Sequence, residues 1–492
     1  MATRPHRRLP VDVGCRRPPN FAGLQAVPVR RGCPFPDAQT WRQTAFDLSC
    51  EKAEQGGNTV TTNLNRDALG IGPVVFQSIT FMAPAAAVAY SIYISAQYAG
   101  GALTLSVILA LVGAMFTAVS IGELAGKIPS AASFYTYTSR IFGSIPGFLV
   151  GWCYMLVQTI VTPFLLLIMG LVIHDTIKQY LHIELPWWIW FILGAILVFW
   201  LTYRGIRLSA RTGMWMGVFE LAVFTVLAVS IIVQAGSRNS YQVLNPHLAL
   251  VTGAGGFTGV FLGMIYCIQA FIGFEAAASL AEETRNPRNI TRAVVWSTVG
   301  IGLFYVLTTY AGTIGWGIAK MSSFYQNSDP WHVLAVQSWG IGWILVFIAI
   351  VNSFIANSNA GNTTSTRIMF AMGRVGALPK KLATIHPVFE TPSAAAITEL
   401  VWTLIVGLAF GFAMGPMNGY VALATITTLV MIAVYLVANL AAIVFHLRDA
   451  REHLSVGKHI VVPVLGIIFF LPPLVVSVYP MPAYPANLAA PI

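Results

Sequence analysis

The sequence predicts an all-α integral membrane protein, a single bundle of about eleven membrane-spanning helices, on three observations. First, 56% of the 492 residues are hydrophobic and only 9% are charged, with a mean hydropathy of +0.71. A water-facing domain carries about 25% charged residues, so this much apolar surface needs lipid to cover it. Second, apolar runs long enough to cross a hydrocarbon core of about 30 Å recur along the chain, and none shows the period-two alternation of a membrane barrel strand. Third, the basic residues are distributed asymmetrically. Ten of the 28 Lys and Arg residues precede residue 73, and alternate loops hold the groups Lys127 and Arg140; Arg204, Arg207 and Arg211; Arg285, Arg288 and Arg292; Arg367, Arg374, Lys380 and Lys381; and Arg448, Arg451 and Lys458. The intervening loops hold only Lys178, Arg238 and Lys320. Basic residues near span ends are retained in the cytoplasm, which predicts a cytoplasmic N-terminus. The net charge of +10 is thus a topology signal, and with no soluble basic domain to bind it a nucleic-acid partner is not expected.

Taken in order, residues 1–57 are rich in Pro, Arg and Gly, lack the apolar core of a secretory signal, and are expected to form a disordered cytoplasmic extension. Cys15, Cys33 and Cys50 lie there and Cys153 and Cys267 lie in spans, without metal-ligand spacing, so no metal site is expected. The membrane domain is expected over 58–479, with spans near 73–96, 103–122, 147–173, 186–203, 213–235, 256–281, 293–317, 339–372, 393–414, 418–446 and 460–479. A short tail, 480–492, follows. Pro84 sits in the middle of the first span, and a proline there leaves a carbonyl unpaired and disturbs its neighbours, predicting a break near Ala83 to Ala87. The sixth span holds "AFIGFEAAAS"; aligning its "EAAA" with "PAAA" of the first span sets Pro84 opposite Glu275. The loop charges make these spans cross in opposite directions, as a five-plus-five inverted repeat requires.

Four acidic residues fall within the expected spans, Glu123, Glu220, Glu275 and Glu399. An ionised carboxylate in hydrocarbon costs several kcal/mol, so each must face protein, water or a partner. Glu123 and Glu399 stand near span ends and are expected at the interface. Glu220, some eight residues into the fifth span, is a candidate for proton coupling or a buried hydrogen bond. The run "NSFIANSNAGNTTST" (352–366) is too polar for a lipid-facing helix, and its oxygens either join helices or hold Na⁺.

Three loop motifs carry a family resemblance. "ELAGKIPSAASFYTYTSRIFGSIPGFLVGW" (123–152), "GFEAAASLAEETRNPRNITRAV" (273–294) and "STRIMFAMGRVGALPKKLATIHPVFETP" (365–392), with "MIAVYLVANLAAIVFHLRD" (431–449), resemble the amino acid–polyamine–organocation permeases over about residues 68–479. The resemblance implies a leucine-transporter-like fold, with ten core helices in two inverted halves and spans 1 and 6 broken at mid-membrane. Two departures stand out: the break of span 1 reads Ala-Pro-Ala-Ala-Ala instead of a glycine-rich string, and the chain ends where a twelfth span is expected to begin.

The resemblance also implies a site. Half-helix N-termini present free N–H groups and a positive dipole end, and first halves present free carbonyls. The substrate site is expected at Ala83, Pro84, Ala85, Ala86 and Ala87 of span 1 and at Gln269, Ala270, Phe271, Ile272, Gly273 and Phe274 of span 6. N–H groups near Ala85, Ala86 and Ala87 are expected to hold a substrate carboxylate, and carbonyls near Gln269, Ala270 and Ile272 an α-ammonium. Tyr154, Gln158 and Tyr435 are expected to line the pocket. Glu275 is expected to gate the route by bonding across to span 1 near Pro84, to contact a substrate cation, or only to cap the second half of span 6. The implied function is a plasma-membrane secondary-active amino-acid permease working by alternating access, with proton symport. The alternatives are a polyamine or organic-amine permease and an exchanger. No cofactor is expected beyond a coupling ion, H⁺ or Na⁺. Hydrolase motifs and repeated filter loops are absent from the sequence, so an enzyme or channel is not expected.

Overall fold

The computed structural model describes residues 69–284 and 288–478, and all of them fall in one unit, 60–492. The expectations for the extension 1–57 and the tail 480–492 lie outside the described residues. Among those described there are only helices, turns and two isolated bridges. Among the described residues, nine helical stretches are long and apolar enough to cross a membrane. The first, Ile71–Lys127, contains both of the first two spans, and Trp187–Tyr203 is a shorter apolar helix, so each of the eleven expected runs falls on a helix.

Span 1 is Ile71–Phe81, then Pro84–Ala86, Ala87–Ser91 and Ile92–Ala99; span 2 is Leu103–Lys127. A short helix, Phe134–Phe142, precedes span 3, Ser144–Leu181, and span 4 is Trp187–Tyr203. Span 5 is Ile206–Ala235, span 6 is Phe257–Phe271 followed by the 3₁₀ turns Phe274–Leu280, and span 7 is Arg288–Trp316. Two short helices, Met321–Gln326 and Pro330–Trp339, lead to span 8, Trp343–Arg374. Spans 9 and 10 are Ser393–Met414 and Pro416–Arg448, and span 11 is Gly457–Val461 and Val462–Val478. The three short helices were not foreseen, because each is too brief for hydropathy to separate from a loop.

The packing comes in matched pairs five spans apart. Span 3 lies on span 10 as span 8 lies on span 5, span 4 packs on span 9, and spans 2 and 7 pack on each other. This is the contact pattern of two five-helix halves related by a pseudo-two-fold axis. The centre of the bundle is built from small and aromatic residues: Ala85, Ala86, Ala276, Ala277 and Ala278 are buried, as are Phe81, Phe271, Phe274, Tyr305 and Tyr435. Small residues let backbones approach where lipid supplies no hydrophobic drive between helices. The beginning of span 1 is tied to the end of span 6 by the Leu69 N–H, which donates to the Glu283 carbonyl at 3.2 Å.

Candidate functional site

Both expected breaks occur, and they meet. Span 1 stops at Phe81; Ala83 takes the left-handed conformation (φ 47°), and Pro84 is the first residue of the next half, where its missing N–H costs nothing. Span 6 stops at Phe271, and Gly273 has φ 119°. A Cβ at Gly273 would lie 2.8 Å from Phe81 Cγ and 2.9 Å from the Phe81 carbonyl carbon, so only glycine lets the two backbones approach this closely. Ser78 fastens them: its hydroxyl donates to the Phe274 carbonyl at 2.7 Å and accepts from the Ala277 N–H at 3.1 Å. The Tyr305 hydroxyl, from span 7, donates to the Ala270 carbonyl at 2.9 Å and to the Met82 carbonyl.

The N–H groups expected to be free at the break of span 1 have protein acceptors. Ala85 donates to Glu220 Oε2 at 3.1 Å, Ala86 to Ser353 Oγ at 3.1 Å, and Ala87 to the Ala83 carbonyl at 2.7 Å. Glu220 is fully buried, and its Oε1 has no hydrogen-bond partner. A carboxylate from span 5 thus caps the second half of span 1, where the free N–H groups and the helix dipole favour an anion.

A small cavity of about 30 Å³ lies beside both breaks. Of the expected residues, Ala83, Ala86, Ala87, Gln269, Ala270 and Ile272 line it; Pro84, Ala85, Phe271, Gly273 and Phe274 shape the breaks without lining it. Its other walls are apolar and aromatic, chiefly Phe81, Phe164, Phe354 and Tyr420, and no charged side chain lines it. Gln269 and Asn357 face this space. Both polar atoms of the Gln269 amide, and Oδ1 of Asn357, are buried without a hydrogen-bond partner. Such groups are rare in a settled core and point to a polar ligand or water. Phe164 and Tyr420 were not foreseen, since each sits in a run that reads as ordinary packing; Asn357 lies in the polar run 352–366, whose oxygens were expected to join helices or hold Na⁺.

Glu275 faces neither Pro84 nor this cavity. Its Oε2 accepts from the Gly273 N–H at 3.0 Å and from the Tyr435 hydroxyl at 2.8 Å, and its Oε1 from Gln158 Nε2 at 3.4 Å. Tyr154, Gln158 and Tyr435 therefore gather around Glu275 instead of lining the cavity, with Phe134 of the short helix 4.6 Å from Tyr154 between ring centres. The carboxylate caps the turn after the break and joins it to spans 3 and 10. Glu399 also departs from expectation: it is buried, not interfacial, because span 9 packs against spans 3, 4 and 8 from its first turns. Glu123 does stand at a helix end, half-buried, 2.6 Å from Lys458 Nζ. It lies with His446 and His459 in a group whose donor atoms fall within 4.8 Å of one another, and Lys127 Nζ is 3.3 Å from His446 Nε2.

The polar run of span 8 makes interhelical bonds. Asn362 Oδ1 accepts from Thr162 at 2.6 Å, and Asn359 Oδ1 from Ser209 at 2.9 Å. At the end of span 6 the two acidic residues of "AEE" find arginines of span 8. Glu283 and Arg367, each about 1–2% exposed, form a two-bonded pair at 2.7 and 3.1 Å. Glu282 pairs with Arg374 at 2.9 and 3.1 Å and accepts from the Ala131 N–H at 2.9 Å.

Two broken helices in contact, with an uncharged, mainly apolar cavity beside them inside an inverted repeat, define a transporter of the leucine-transporter-like fold. The crystal structure of MhsT in complex with L-phenylalanine has that fold: it superposes with a TM-score of 0.55 at 13% identity, covering 83% of this chain and 99% of the other. The chain matches the amino acid permease family over residues 75–489, and it belongs to that family. Among its relatives are the branched-chain amino acid permease BcaP of Bacillus subtilis, 29% identical over 66% of this chain and 70% of the relative. Another is the low-affinity putrescine importer PlaP of Escherichia coli, 24% identical over 68% and 74%. The protein is thus a multi-pass membrane transporter of an organic substrate.

Proposed function

We propose that this protein is a secondary-active transporter of the plasma membrane that carries neutral amino acids with apolar side chains, L-leucine among them, by alternating access with proton symport. The observation that carries this reading is the cavity at the two breaks. Its aromatic and aliphatic walls suit an apolar side chain, the unpaired Gln269 amide and Asn357 Oδ1 suit polar ends, and the absence of a lining charge suits a substrate of zero net charge. The relative named for branched-chain amino acids agrees with it. On this reading Gln269 and the carbonyls around Ala270 and Ile272 meet the α-ammonium, and the first turn of the second half of span 1 meets the carboxylate. Glu275 acts as a gate: its bonds to Tyr435 and Gln158 must part for span 6 to move away from spans 3 and 10. The side carrying the Lys- and Arg-rich loops, with the N-terminus, faces the cytoplasm.

The organic-amine reading has one observation in its favour. The N–H groups that would grip a carboxylate are held by Glu220 and Ser353, and a relative is named for putrescine. Uptake of a labelled panel into proteoliposomes, with pH and Na⁺ gradients imposed separately, decides between them. Accumulation of L-leucine driven by an inward proton gradient is the expected result. Uptake of putrescine but no amino acid would overturn the amino-acid reading, and uptake driven only by Na⁺ would overturn the proton.

A further inference from the structure

The fate of the N–H groups in span 1 sets a condition on how a carboxylate can bind. From Met82 to Ala87 every one has an acceptor: Met82 donates to the Ser78 carbonyl and Ala83 to the Thr80 carbonyl, both at 3.1 Å, and Pro84 has none to give. Ala85 and Ala86, at the positive end of the half-helix, are held by side chains from other spans, Glu220 and Ser353. A substrate carboxylate can reach the Ala85 N–H only if Glu220 lets go, and the Ala86 N–H only if Ser353 does. Two carboxylates cannot both stay ionised a few ångströms apart in a buried site. We propose that Glu220 is an internal stand-in for the substrate carboxylate, and that a proton must bind Glu220 for the substrate to displace it. This rests on reading the cavity as an amino-acid site.

The exchange balances without a bond made or broken except to the proton. A proton taken from water adds to Glu220; the acid is a poorer acceptor and releases the Ala85 N–H. The incoming carboxylate accepts from Ala85 and Ala86, and the Ser353 hydroxyl, freed from accepting, turns to donate. One negative charge sits on the half-helix before and after, so its dipole is always matched. Release of the substrate on the other side frees the two N–H groups; Glu220 returns to Ala85 as it gives up its proton, and Ser353 returns to Ala86. One proton then travels with one carboxylate. Among the described residues no ion pair involves Glu220. Span 1 presents Ala85, span 8 Ser353, and span 7 Tyr305, whose hydroxyl donates to the two carbonyls. The helix Pro330–Trp339 meets span 5 through Trp331 on Phe224. The basic residues of the packed spans, Arg207, Arg211, Arg288, Arg292, Arg367 and Arg374, stand more than two turns along the chain from these contacts.

The test uses the full-length protein in detergent, with L-leucine and 3-methylbutylamine, the same molecule without its carboxylate. L-Leucine binding in a weakly buffered solution should take up about one proton per molecule bound, read with an indicator dye, and its Kd should rise up to tenfold per pH unit on the alkaline side. Binding of the amine should take up none. Glu220→Gln, an amide that cannot ionise, should bind L-leucine with no proton uptake and a flat pH profile. A wild-type protein that binds L-leucine with no proton uptake, or with uptake unchanged in Glu220→Gln, overturns the inference and leaves the amino-acid reading standing. A wild-type protein that binds only the amine, or neither compound, overturns both. If Glu220→Gln does not fold, the comparison of acid with amine on the wild-type protein decides alone.

Discussion

A methyl group at position 273 has nowhere to go. Gly273→Ala places a Cβ under 3 Å from Phe81 backbone and side chain at a φ that alanine resists, so the two breaks must separate. The expected cost is about 1–3 kcal/mol, read as a lower thermal midpoint in detergent, together with loss of uptake. Glu275 allows a finer separation. Glu275→Ala orphans three donors at about 1–3 kcal/mol each and should destabilise the protein. Glu275→Gln keeps an acceptor for Gly273 and Tyr435, and the Gln158 amide can turn over to meet it. That variant should fold and bind substrate while uptake falls at least tenfold; wild-type uptake would reduce Glu275 to a cap. In the loop before span 8, burial pushes the Asp329 carboxyl up to about 6, against the lowering effect of the His332 N–H it accepts. The folded protein therefore keeps a proton that the unfolded chain, with its carboxyl near about 3.9, has lost. This contribution to stability is present below about pH 4 and is lost as pH rises to about 6. Asp329→Asn retains the helix cap and should flatten the dependence of the thermal midpoint on pH in that window.

The pairing of "AEE" with span 8 is an element-scale clamp: two carboxylates at the end of span 6 hold two arginines about two helical turns apart. Arg367→Ala strands the buried Glu283 and should cost about 3–5 kcal/mol, whereas Arg374→Ala, at a partly exposed pair, should cost about 1 kcal/mol or less. Thermal unfolding of the two variants side by side checks the difference. The motif was legible as a family signature, but its partners lie 84 and 92 residues away, beyond any local pattern. The same limit runs through the site. Hydropathy located every span, because each must be apolar over its own length, and Pro84 and Gly273 marked the breaks, because backbone geometry is a local demand. Glu220 stood out as a carboxylate in a span, yet its acceptor role at Ala85, 135 residues away, did not. Ser78 and Tyr305 left no trace, since one hydroxyl in an apolar run reads as packing. Tyr154, Gln158 and Tyr435 were placed in the pocket when they belong to Glu275, a matter of which way three helices face.

At the scale of the whole molecule, loop charge alone sets the sidedness. Single cysteines near Arg374 should react with impermeant thiol reagents only from the cytoplasm, and one near Lys320 only from outside; the reverse pattern would overturn the orientation and the inverted repeat read from it. The two halves also meet at Tyr305, whose hydroxyl reaches the carbonyls of both breaks. A hydroxyl has one hydrogen. It can serve Met82 or Ala270 fully, but never both, so at each instant one break keeps a carbonyl with spare electron density. An ammonium arriving at Ala270 settles the choice and sends the hydrogen to Met82. Isotope-edited infrared spectra should then show the Met82 and Ala270 carbonyl bands shifting together when substrate binds, and moving independently in Tyr305→Phe. Seen this way, a single hydrogen atom carries word of an occupied site from one half of the repeat to the other.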